Sequence, residues 1–388
     1  MSRENVAMPN FHSYHEILNE AENKSQPPLL QNGPPKDEDT CIIFWSSGTT
    51  GLPKGIEHSF KSFRYITYTK LNKQDGGIGK TLTTTCMFHC GGFGMIFDNL
   101  LQKSPVIFNH GTDIDIDAAQ ILFREIDCFK PIRIVFGSHH MLQLSKQKPT
   151  DKSLDLNSVL MASPMGSTVP DTLYSDLKKS LTSLVLVAHG YSQTECYPTL
   201  LSLTFDLKLA TLGKIGPNIA IKLIDPESGK LCGPNEIGEL YAKGGVTMKG
   251  YLNNPEENSK FFAEDGWYRS GDLARFNARG MLFYEGRHKE LIKYKNCHVS
   301  PLEIEKIICE HPGVAEAAVF GRPDDLVQEL VTAAVVKTTG SSVTAQEIID
   351  HVDQTVDEAK KLRGGVIFVD KLPKNPMGKV QRRKLLHL

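Results

Sequence analysis

The chain has 388 residues, 40% of them hydrophobic, and a formal net charge of −1. This length predicts two or three domains, and the near-neutral charge argues against nucleic acid as a partner. The first residues have no apolar signal core, no stretch has the length of an apolar membrane span, and the last residues, LHL, differ from the SKL peroxisomal address. We therefore expect an intracellular protein that is not transmembrane, in the cytoplasm or the peroxisome.

Eight cysteines are scattered along the chain, which in a protein of this size favours free thiols in a reducing compartment. Cys86, His89 and Cys90 in CMFHC offer zinc ligands, but no second Cys/His pair at zinc spacing accompanies them. Ordinary packing is the favoured interpretation of that cluster.

The first half of the chain reads as a polar lead-in followed by an α/β region. Residues 1–40 are polar, with a stretch rich in proline and charge. From about 41 to 200, strand-like runs alternate with amphipathic runs, which predicts a mainly parallel sheet with helices. The strand candidates are CIIFW, PVIF, RIVFG, SVLMAS and LVLVAHGYS, the helix candidates are DAAQILFREIDCF and DTLYSDLKKSL, and HSFKSFRYITYTKL fits either.

The second half changes pattern twice. Between about 213 and 286, short strands separated by glycine-rich turns (AIKLID, GELYAKG, MLFYEGR) predict a small β region. After about 290, the sequence predicts a compact α+β unit: strand LIKY, helix PLEIEKIICEH, strands AEAAVFG and VTAAVVK, a long helix TAQEIIDHVDQTVDEAKKL, and strand GVIFVDKL. The tail PKNPMGKVQRRKL is polar and basic and is expected to be exposed and mobile.

The stretch WSSGTTGLPKG (45–55) has the composition of a phosphate-binding loop after a strand. Glycine allows close backbone approach, hydroxyl groups donate to oxyanions, and Lys54 adds a positive charge. It is not a Walker A motif, because Pro53 precedes Lys54 and Gly55 follows it. Taken alone, a polar strand-to-helix turn explains this loop almost equally well.

Further motifs follow in order: GYSQTE (190–195), GELYAKGGVTMKGYLNNPE (238–256), DGWYRSGD (265–272), GRHKELIKYKNCHVSPLEIE (286–305) and PKNPMGKVQRRKL (373–385). With SSGTTGLPKG, they make the chain from about residue 40 onward resemble the acyl-adenylate-forming superfamily of acyl-CoA synthetases, 4-coumarate:CoA ligases and beetle luciferases. The resemblance implies a large α/β domain (41–287), lacking much of the usual N-terminal portion, and a small mobile α+β C-terminal domain (288–388). It also implies activation of a carboxylic acid by ATP to an acyl-AMP, then transfer to a thiol, usually that of coenzyme A.

The resemblance also assigns nucleotide roles. Tyr191 lies against the adenine, Thr194 near the α-phosphate, Glu195 helps to hold Mg²⁺, and Lys379 serves the adenylation transition state. The ATP-binding residues implied by the motifs are Ser46, Ser47, Gly48, Thr49, Thr50, Gly51, Lys54, His189, Gly190, Tyr191, Ser192, Gln193, Asp272 and Arg287. Ser192 stands where many relatives have glycine.

For the second half-reaction, the resemblance places a hinge at Lys289, about which the small domain rotates. Lys293 matches a lysine that serves thioester formation, and Lys295 and Asn296 lie where coenzyme A contacts are expected. Asn296 replaces a usual glycine and His298 a usual glutamine. Asparagine tolerates the left-handed conformation, so the turn can survive.

The acid itself is expected beside His89 in MFHCGGFGM, with Gly91, Gly92, Phe93 and Gly94 shaping an apolar pocket wall. MASPMGST (161–168) departs from the turn that relatives have beside the adenine. Because no motif fixes the pocket side chains, a fatty and an aryl acid stay equally open.

Relatives carry a large portion before the phosphate loop, whereas about 40 residues precede it here. We expect reduced stability, or a homo-oligomer or partner that covers the exposed apolar faces. Three hypotheses remain: an ATP-dependent acid–CoA ligase, which is favoured, a luciferase-like oxygenase, and a non-catalytic nucleotide-binding or interaction protein.

Overall fold

The computed structural model describes residues 34–46, 53–64, 79–109, 118–166, 169, 172–188, 190–201, 211–216, 219–263, 265–295, 297–374 and 379–388. We call residues 34–287 the large domain and residues 288–388 the small domain; this boundary is a prediction from sequence.

The large domain contains fourteen described strands. They are β1 (Thr40–Ser46), β2 (Lys54–Ser59), β3 (Thr81–Thr83), β4 (Val106–Phe108), β5 (Arg133–Gly137), β6 (Met161–Met165), β7 (Leu186–Val187), β8 (Gly190–Gln193), β9 (Cys196–Leu201), β10 (Ile219–Ile224), β11 (Gly238–Gly244), β12 (Gly250–Tyr251), β13 (Tyr268–Phe276) and β14 (Leu282–Arg287). Its described helices are α1 (Cys90–Leu101), α2 (Ala118–Phe129), α3 (Ser138–Lys146), α4 (Leu173–Lys178) and α5 (Pro255–Phe261).

A five-stranded parallel sheet, in the order β4-β3-β5-β6-β7, forms the α/β core. The run Ile134–Val135–Phe136 of β5 is fully buried, as expected for a strand that helices cover on both faces. Phe123 of α2 and Met141 of α3 are fully buried in the same core. The predicted parallel sheet and the predicted helices within 117–129 and 171–181 are confirmed.

Two strand assignments need correction. CIIFW belongs to β1, which pairs antiparallel with β2 across the phosphate loop rather than joining the parallel sheet. LVLVAHGYS contains two strands, because β7 ends at Val187 and β8 pairs antiparallel with β9. An apolar run predicts a buried strand but carries no information about its neighbour.

The small β region is an antiparallel sheet in the order β10-β11-β13-β14. AIKLID, GELYAKG and MLFYEGR correspond to β10, β11 and β14, so these three predictions are confirmed. Strand β13, which holds the DGWYRSGD residues from Tyr268 onward, had not been predicted as a strand. It places Asp272 inside the sheet, next to β14.

The small domain contains strands β15 (Ile292–Tyr294), β16 (Cys297–Val299), β17 (Val314–Asp324), β18 (Gln328–Lys337) and β19 (Val366–Phe368). Its helices are α6 (Pro301–Glu310), α7 (Ala345–Asp353) and α8 (Arg382–Leu385), with short 3₁₀ turns at His288–Glu290 and Glu358–Lys360. The sheet runs β16-β15-β18-β17, with β19 parallel to β18. The compact α+β unit is thereby confirmed.

The long helix predicted over 344–362 is shorter than expected. Helix α7 begins after a capping box between Thr344 and Glu347 and ends at Asp353. The β-branched pair Thr355 and Val356 disfavours continuation, and the chain then turns so that Leu362 enters the core. The strand that follows is β19, as predicted.

The basic tail is anchored where the structure describes it, which corrects the expectation of a mobile end. Arg382 pairs with Glu305 at 2.8 Å and with Glu290 at 2.5 Å, and its Nε donates to the Val319 carbonyl. Leu385 is 1% exposed. Residues 375–378 lie outside the described chain.

Contacts between the domains hold the small one against the large one. Lys146 Nζ donates to the Ala315 carbonyl at 2.8 Å, and His298 Nδ1 lies 3.0 Å from Glu227 Oε1. Ser300 Oγ donates to the carbonyl of Glu285 on β14. Among the described helices, none is long and apolar enough to cross a membrane.

Candidate functional site

Asp272 lies at the centre of a buried polar cluster where strands β8, β13 and β14 meet. The residue is 3% exposed. Oδ2 accepts a hydrogen bond from Tyr191 OH at 2.7 Å and another from Gln193 Nε2 at 2.6 Å. Arg287, its register partner on β14, places Nε 3.2 Å from Oδ1.

The second oxygen of Asp272 accepts no hydrogen bond from the described residues. The Arg287 contact is an ion pair without hydrogen-bond alignment, so within the described ranges buried Oδ1 has no hydrogen-bond donor. A buried acceptor in this state is costly, and a ligand hydroxyl would satisfy it. The carboxyl is therefore suited to grip a sugar hydroxyl.

Burial dominates the electrostatics of this cluster. It raises the pKa of Asp272 above its usual 3.8, and Arg287, Tyr191 and Gln193 only partly oppose that rise. Burial is the largest single influence on Arg287 and disfavours its charge, but Asp272 and the neighbouring acidic groups together outweigh it and raise the pKa of the guanidinium. The pair is thus a buried charge centre whose members depend on each other.

Thr194 and Glu195 form the turn between β8 and β9, and neighbouring strands fix this turn. His58 on β2 has Nε2 2.7 Å from the Thr194 carbonyl, while Met248 N–H donates to the Glu195 carbonyl at 2.8 Å. Tyr251 OH donates to Glu195 Oε1 at 3.0 Å. Both side chains are therefore presented from a rigid backbone, which suits the positioning of a reacting group.

Lys379 reaches this site from the C-terminal tail. The residue is exposed, but surrounding protein atoms still desolvate its ammonium group. Desolvation and the positive charge of Arg287 lower its pKa below the usual 10.5, while Asp272, Glu195 and Cys90 oppose that shift. A lysine from one domain thus shares one electrostatic centre with carboxylates from the other.

His89 and Cys90 line the same site on the side of α1. His89 caps the helix, its Nδ1 accepting the Gly91 N–H at 3.1 Å, which leaves the ring proton of the neutral imidazole on Nε2. Burial and the charge of Lys379 lower the pKa of His89. The buried Cys90 Sγ lies 3.6 Å from Thr194 Oγ1, and burial raises the thiol pKa.

The glycines after His89 belong to a helix. A Cβ on Gly92 would lie 2.0 Å from the Cys86 carbonyl oxygen, so this glycine allows the helix to touch the preceding turn. Phe93 packs edge-on against Phe44, with ring centroids 5.5 Å apart, and 4.8 Å from Phe97. The acyl-pocket role of Gly91, Gly92 and Phe93 stays a prediction.

The ends of the phosphate loop are described, but its centre is not. Ser46 closes β1 and Lys54 opens β2 as register partners. Lys54 forms an ion pair with Glu257 and lies 5.5 Å from the centre of the Tyr251 ring. The predicted residues outside the described chain are Ser47, Gly48, Thr49, Thr50, Gly51, His189 and Asn296.

The other predicted residues lie at exposed positions of β8 or in the small domain. Gly190 and Ser192 are exposed on β8, and Lys289 is exposed in the 3₁₀ turn after β14. Lys293 N–H donates to Glu329 Oε2, and Lys295, at φ +52°, lies over the Tyr294 ring. These contacts are within the small domain, and the predicted hinge and coenzyme A roles stay predictions.

Sequence reasoning missed three side chains around the site: His58, Tyr251 and Glu257. It had assigned Cys90 to packing alone. His58 and Glu257 each lie close in sequence to a recognised motif, but their roles depend on contacts with residues about 136 and 203 positions away. Within the described ranges, no three His, Cys, Asp or Glu side chains converge on a possible metal position.

Two family models match this sequence. The sequence model of the AMP-binding enzyme family matches residues 5–252, and that of the AMP-binding enzyme C-terminal domain matches residues 303–379. Together they span the turn with Glu195 and the tail with Lys379.

Individual relatives agree with this match. The chain is 33% identical over 357 residues to a luciferin 4-monooxygenase of Photuris pensylvanica and 30% identical over 375 residues to 4-coumarate–CoA ligase 1 of Oryza sativa subsp. japonica. Each alignment covers 90% of this chain but only 64% and 63% of the relative. The crystal structure of ATP-bound MatB from Rhodopseudomonas palustris superposes with a TM-score of 0.79 at 26% identity, covering 91% of this chain and 68% of that one.

Proposed function

This chain belongs to the AMP-binding enzyme family of adenylate-forming enzymes, and we propose that it is an ATP-dependent acid–CoA ligase. It would activate a fatty or aryl carboxylic acid as the acyl-AMP and transfer the acyl group to coenzyme A. Comparison with ATP-bound MatB supports the choice of nucleotide, and the 4-coumarate–CoA ligase supports the choice of thiol.

One observation carries the proposal: the Asp272–Arg287 pair is joined through Gln193 to the turn that holds Glu195, and Lys379 of the tail lies within electrostatic reach of these charges. Adenylation brings an anionic acid to an anionic triphosphate, so it needs a cation at the point where charge accumulates. A lysine delivered by a separate domain supplies that cation once the domains are closed.

The other residues of the site would bind the ribose, the adenine and the phosphates of ATP. The unsatisfied Oδ1 of Asp272 would accept a ribose hydroxyl, with Arg287 holding the carboxyl in place. Tyr191 would lie beside the adenine. Residues 46–51 and Lys54 would hold the β- and γ-phosphates. The remaining wall of the nucleotide site would be formed by His189, Gly190, Ser192 and Gln193.

In the chemical step, an oxygen of the substrate carboxylate attacks the α-phosphorus of ATP. The bond from that phosphorus to the bridging oxygen breaks, and pyrophosphate leaves with the electron pair. Lys379 would stabilise the charge on the α-phosphate oxygens, and Thr194 would orient them. Mg²⁺, when bound by Glu195 and the phosphates, would neutralise part of the triphosphate charge; a lone protein carboxylate suits an ion that usually keeps substrate oxygens as ligands.

For the second step, the thiol of coenzyme A loses its proton to solvent, its sulfur attacks the acyl carbonyl carbon, and AMP leaves with the electron pair as the carbon–oxygen bond breaks. We propose that the small domain turns at Lys289 so that Lys293, Lys295 and Asn296 face the site. His89, Gly91, Gly92 and Phe93 would bound the acyl group. The cytoplasm or peroxisome remains the proposed location.

Pyrophosphate–ATP exchange with a panel of fatty and aryl acids tests adenylation, and mass spectrometry of reactions with coenzyme A tests transfer. We expect acid-dependent exchange and a matching acyl-CoA. Exchange without thioester, but with oxygen-dependent light emission from a luciferin, would favour the oxygenase that the Photuris relative suggests. ATP binding without exchange for any acid would favour a non-catalytic nucleotide-binding protein.

A further inference from the structure

Glu257 holds the lysine of the phosphate loop in an ion pair that joins two separate parts of the large domain. Lys54 opens β2, and Glu257 lies in the first turn of α5, 203 residues later. The side chains are 28% and 20% exposed, so the pair is only partly screened by water.

Three contacts fix the carboxylate in this position. Asn254 caps α5 by accepting the Glu257 N–H at 3.2 Å. Lys260 Nζ lies 3.0 Å from Glu257 Oε1, and Lys54 pairs with the other oxygen, Oε2. Glu257 is thus a preformed anion beside the phosphate loop.

The same pair connects to the turn that holds Glu195. Lys54 Nζ lies 5.5 Å from the centroid of the Tyr251 ring, and the hydroxyl of that tyrosine donates to Glu195 Oε1 at 3.0 Å. Lys54 therefore lies between an internal carboxylate and the residues assigned to the nucleotide. An entering triphosphate must compete with Glu257 for its ammonium group.

We propose that Glu257 is a positioning residue that competes with the β- and γ-phosphates for Lys54 and so lowers the affinity for ATP and pyrophosphate. Pyrophosphate forms an ion pair with Lys54 as the Lys54–Glu257 pair breaks, and the Lys54–Glu257 pair forms again as pyrophosphate leaves. Release of this product is thereby eased. The inference rests on the proposed function, since it takes Lys54 to be a phosphate ligand.

The test measures dissociation constants of pyrophosphate and ATP by titration calorimetry with the full chain. Glu257→Gln keeps the size of the side chain and its contact with Lys260 but removes the negative charge. Because Lys54 no longer pairs with a carboxylate in this variant, we expect pyrophosphate to bind about three- to tenfold more tightly. Glu257→Ala should act in the same direction. In a Lys54→Ala background, Glu257→Gln should change the affinity less than about twofold, because the competing lysine is gone.

Glu256→Gln is the matched control, since Glu256 lies in the same helical turn and pairs only with Lys260 among its described ion pairs. Equal pyrophosphate affinity in the wild type and Glu257→Gln would overturn the inference while leaving the proposed function intact. Equal tightening by Glu256→Gln, or undiminished tightening without Lys54, would also overturn it, by showing a general charge effect. A wild-type protein that binds neither ATP nor pyrophosphate would instead refute the proposed function.

Discussion

Asp272 and Arg287 are register partners on adjacent antiparallel strands, and Arg287 Nε lies 3.2 Å from Asp272 Oδ1. Two residues fifteen positions apart in sequence therefore make one charge centre, in which one carboxyl oxygen has no hydrogen-bond donor among the residues that the structure describes. This relationship connects the fold to nucleotide binding, because the β13–β14 pairing sets the distance.

Asp272→Asn should weaken ATP binding about 10- to 100-fold, since the hydrogen bonds of a charged acceptor are each worth about 1.5–3 kcal/mol. The amide keeps the shape of the side chain but loses the charge that faces Arg287. Calorimetric titration with ATP measures the effect. Asp265→Asn, at an exposed position in the preceding turn, is the control and should bind ATP as the wild type does. An unchanged affinity in Asp272→Asn would remove this residue from the nucleotide site.

The pH profile of adenylation should reflect the lowered pKa of Lys379. The lysine must be protonated to act as a cation, and burial together with Arg287 lowers its pKa below 10.5. Activity should therefore fall as pH rises, and it should do so below pH 10.5. The profile of kcat/KM for ATP reports the free enzyme. Lys379→Arg should be slower but lose this alkaline limb, because arginine stays charged. If Lys379→Arg keeps the alkaline decrease in activity unchanged, a group other than Lys379 causes that decrease.

Gly92→Ala should lower the free energy of unfolding by about 1–3 kcal/mol, as expected for overpacking against backbone. The new methyl group would lie 2.0 Å from the Cys86 carbonyl oxygen. Gly91→Ala is the matched control, because the atoms nearest to its Cβ, His89 Nδ1 and Met165 Cε at 3.2 Å, belong to side chains rather than to backbone. Denaturant unfolding compares the two variants, and equal stabilities would contradict a close approach at Gly92.

Stability should fall in mild acid. Burial lowers the pKa of His58 below its ordinary 6.5, although its bond to the Thr194 carbonyl partly opposes this. Below pH 6.5 the unfolded chain binds a proton that the folded protein excludes. The free energy of unfolding should therefore decrease as pH falls from 6.5 to the folded pKa, by up to about 1.4 kcal/mol per pH unit for each such histidine.

His58→Gln should make that slope shallower, by at most about one proton, in denaturant unfolding measured between pH 7 and pH 5. His387→Gln, in the exposed end of the tail, should leave it unchanged. An unaltered slope in His58→Gln would mean that this histidine does not exclude the proton.

The sequence predicted the parallel core and the small domain because their apolar runs have the length and period of buried strands and helices. Strand β13 was not predicted because its stretch RSGD is polar and lacks the apolar pattern of a buried strand, although alternate residues of it are buried. The antiparallel pairing of β1 also escaped, since strand partners are set by tertiary contacts. In the candidate site, motifs point to Lys379 and Asp272, whereas the contact of Glu257 with Lys54 depends on a fold that brings distant segments together.

The most direct test of adenylation by the closed domains is the rate of pyrophosphate–ATP exchange in Lys379→Ala. Loss of one preorganised charge at the transition state predicts at least about a 100-fold slower exchange, with ATP affinity changed much less. Lys384→Ala, which removes an exposed lysine of the same tail, should exchange at the wild-type rate. Exchange in Lys379→Ala within about threefold of the wild type, a loss of under 1 kcal/mol, would contradict a catalytic role for the tail.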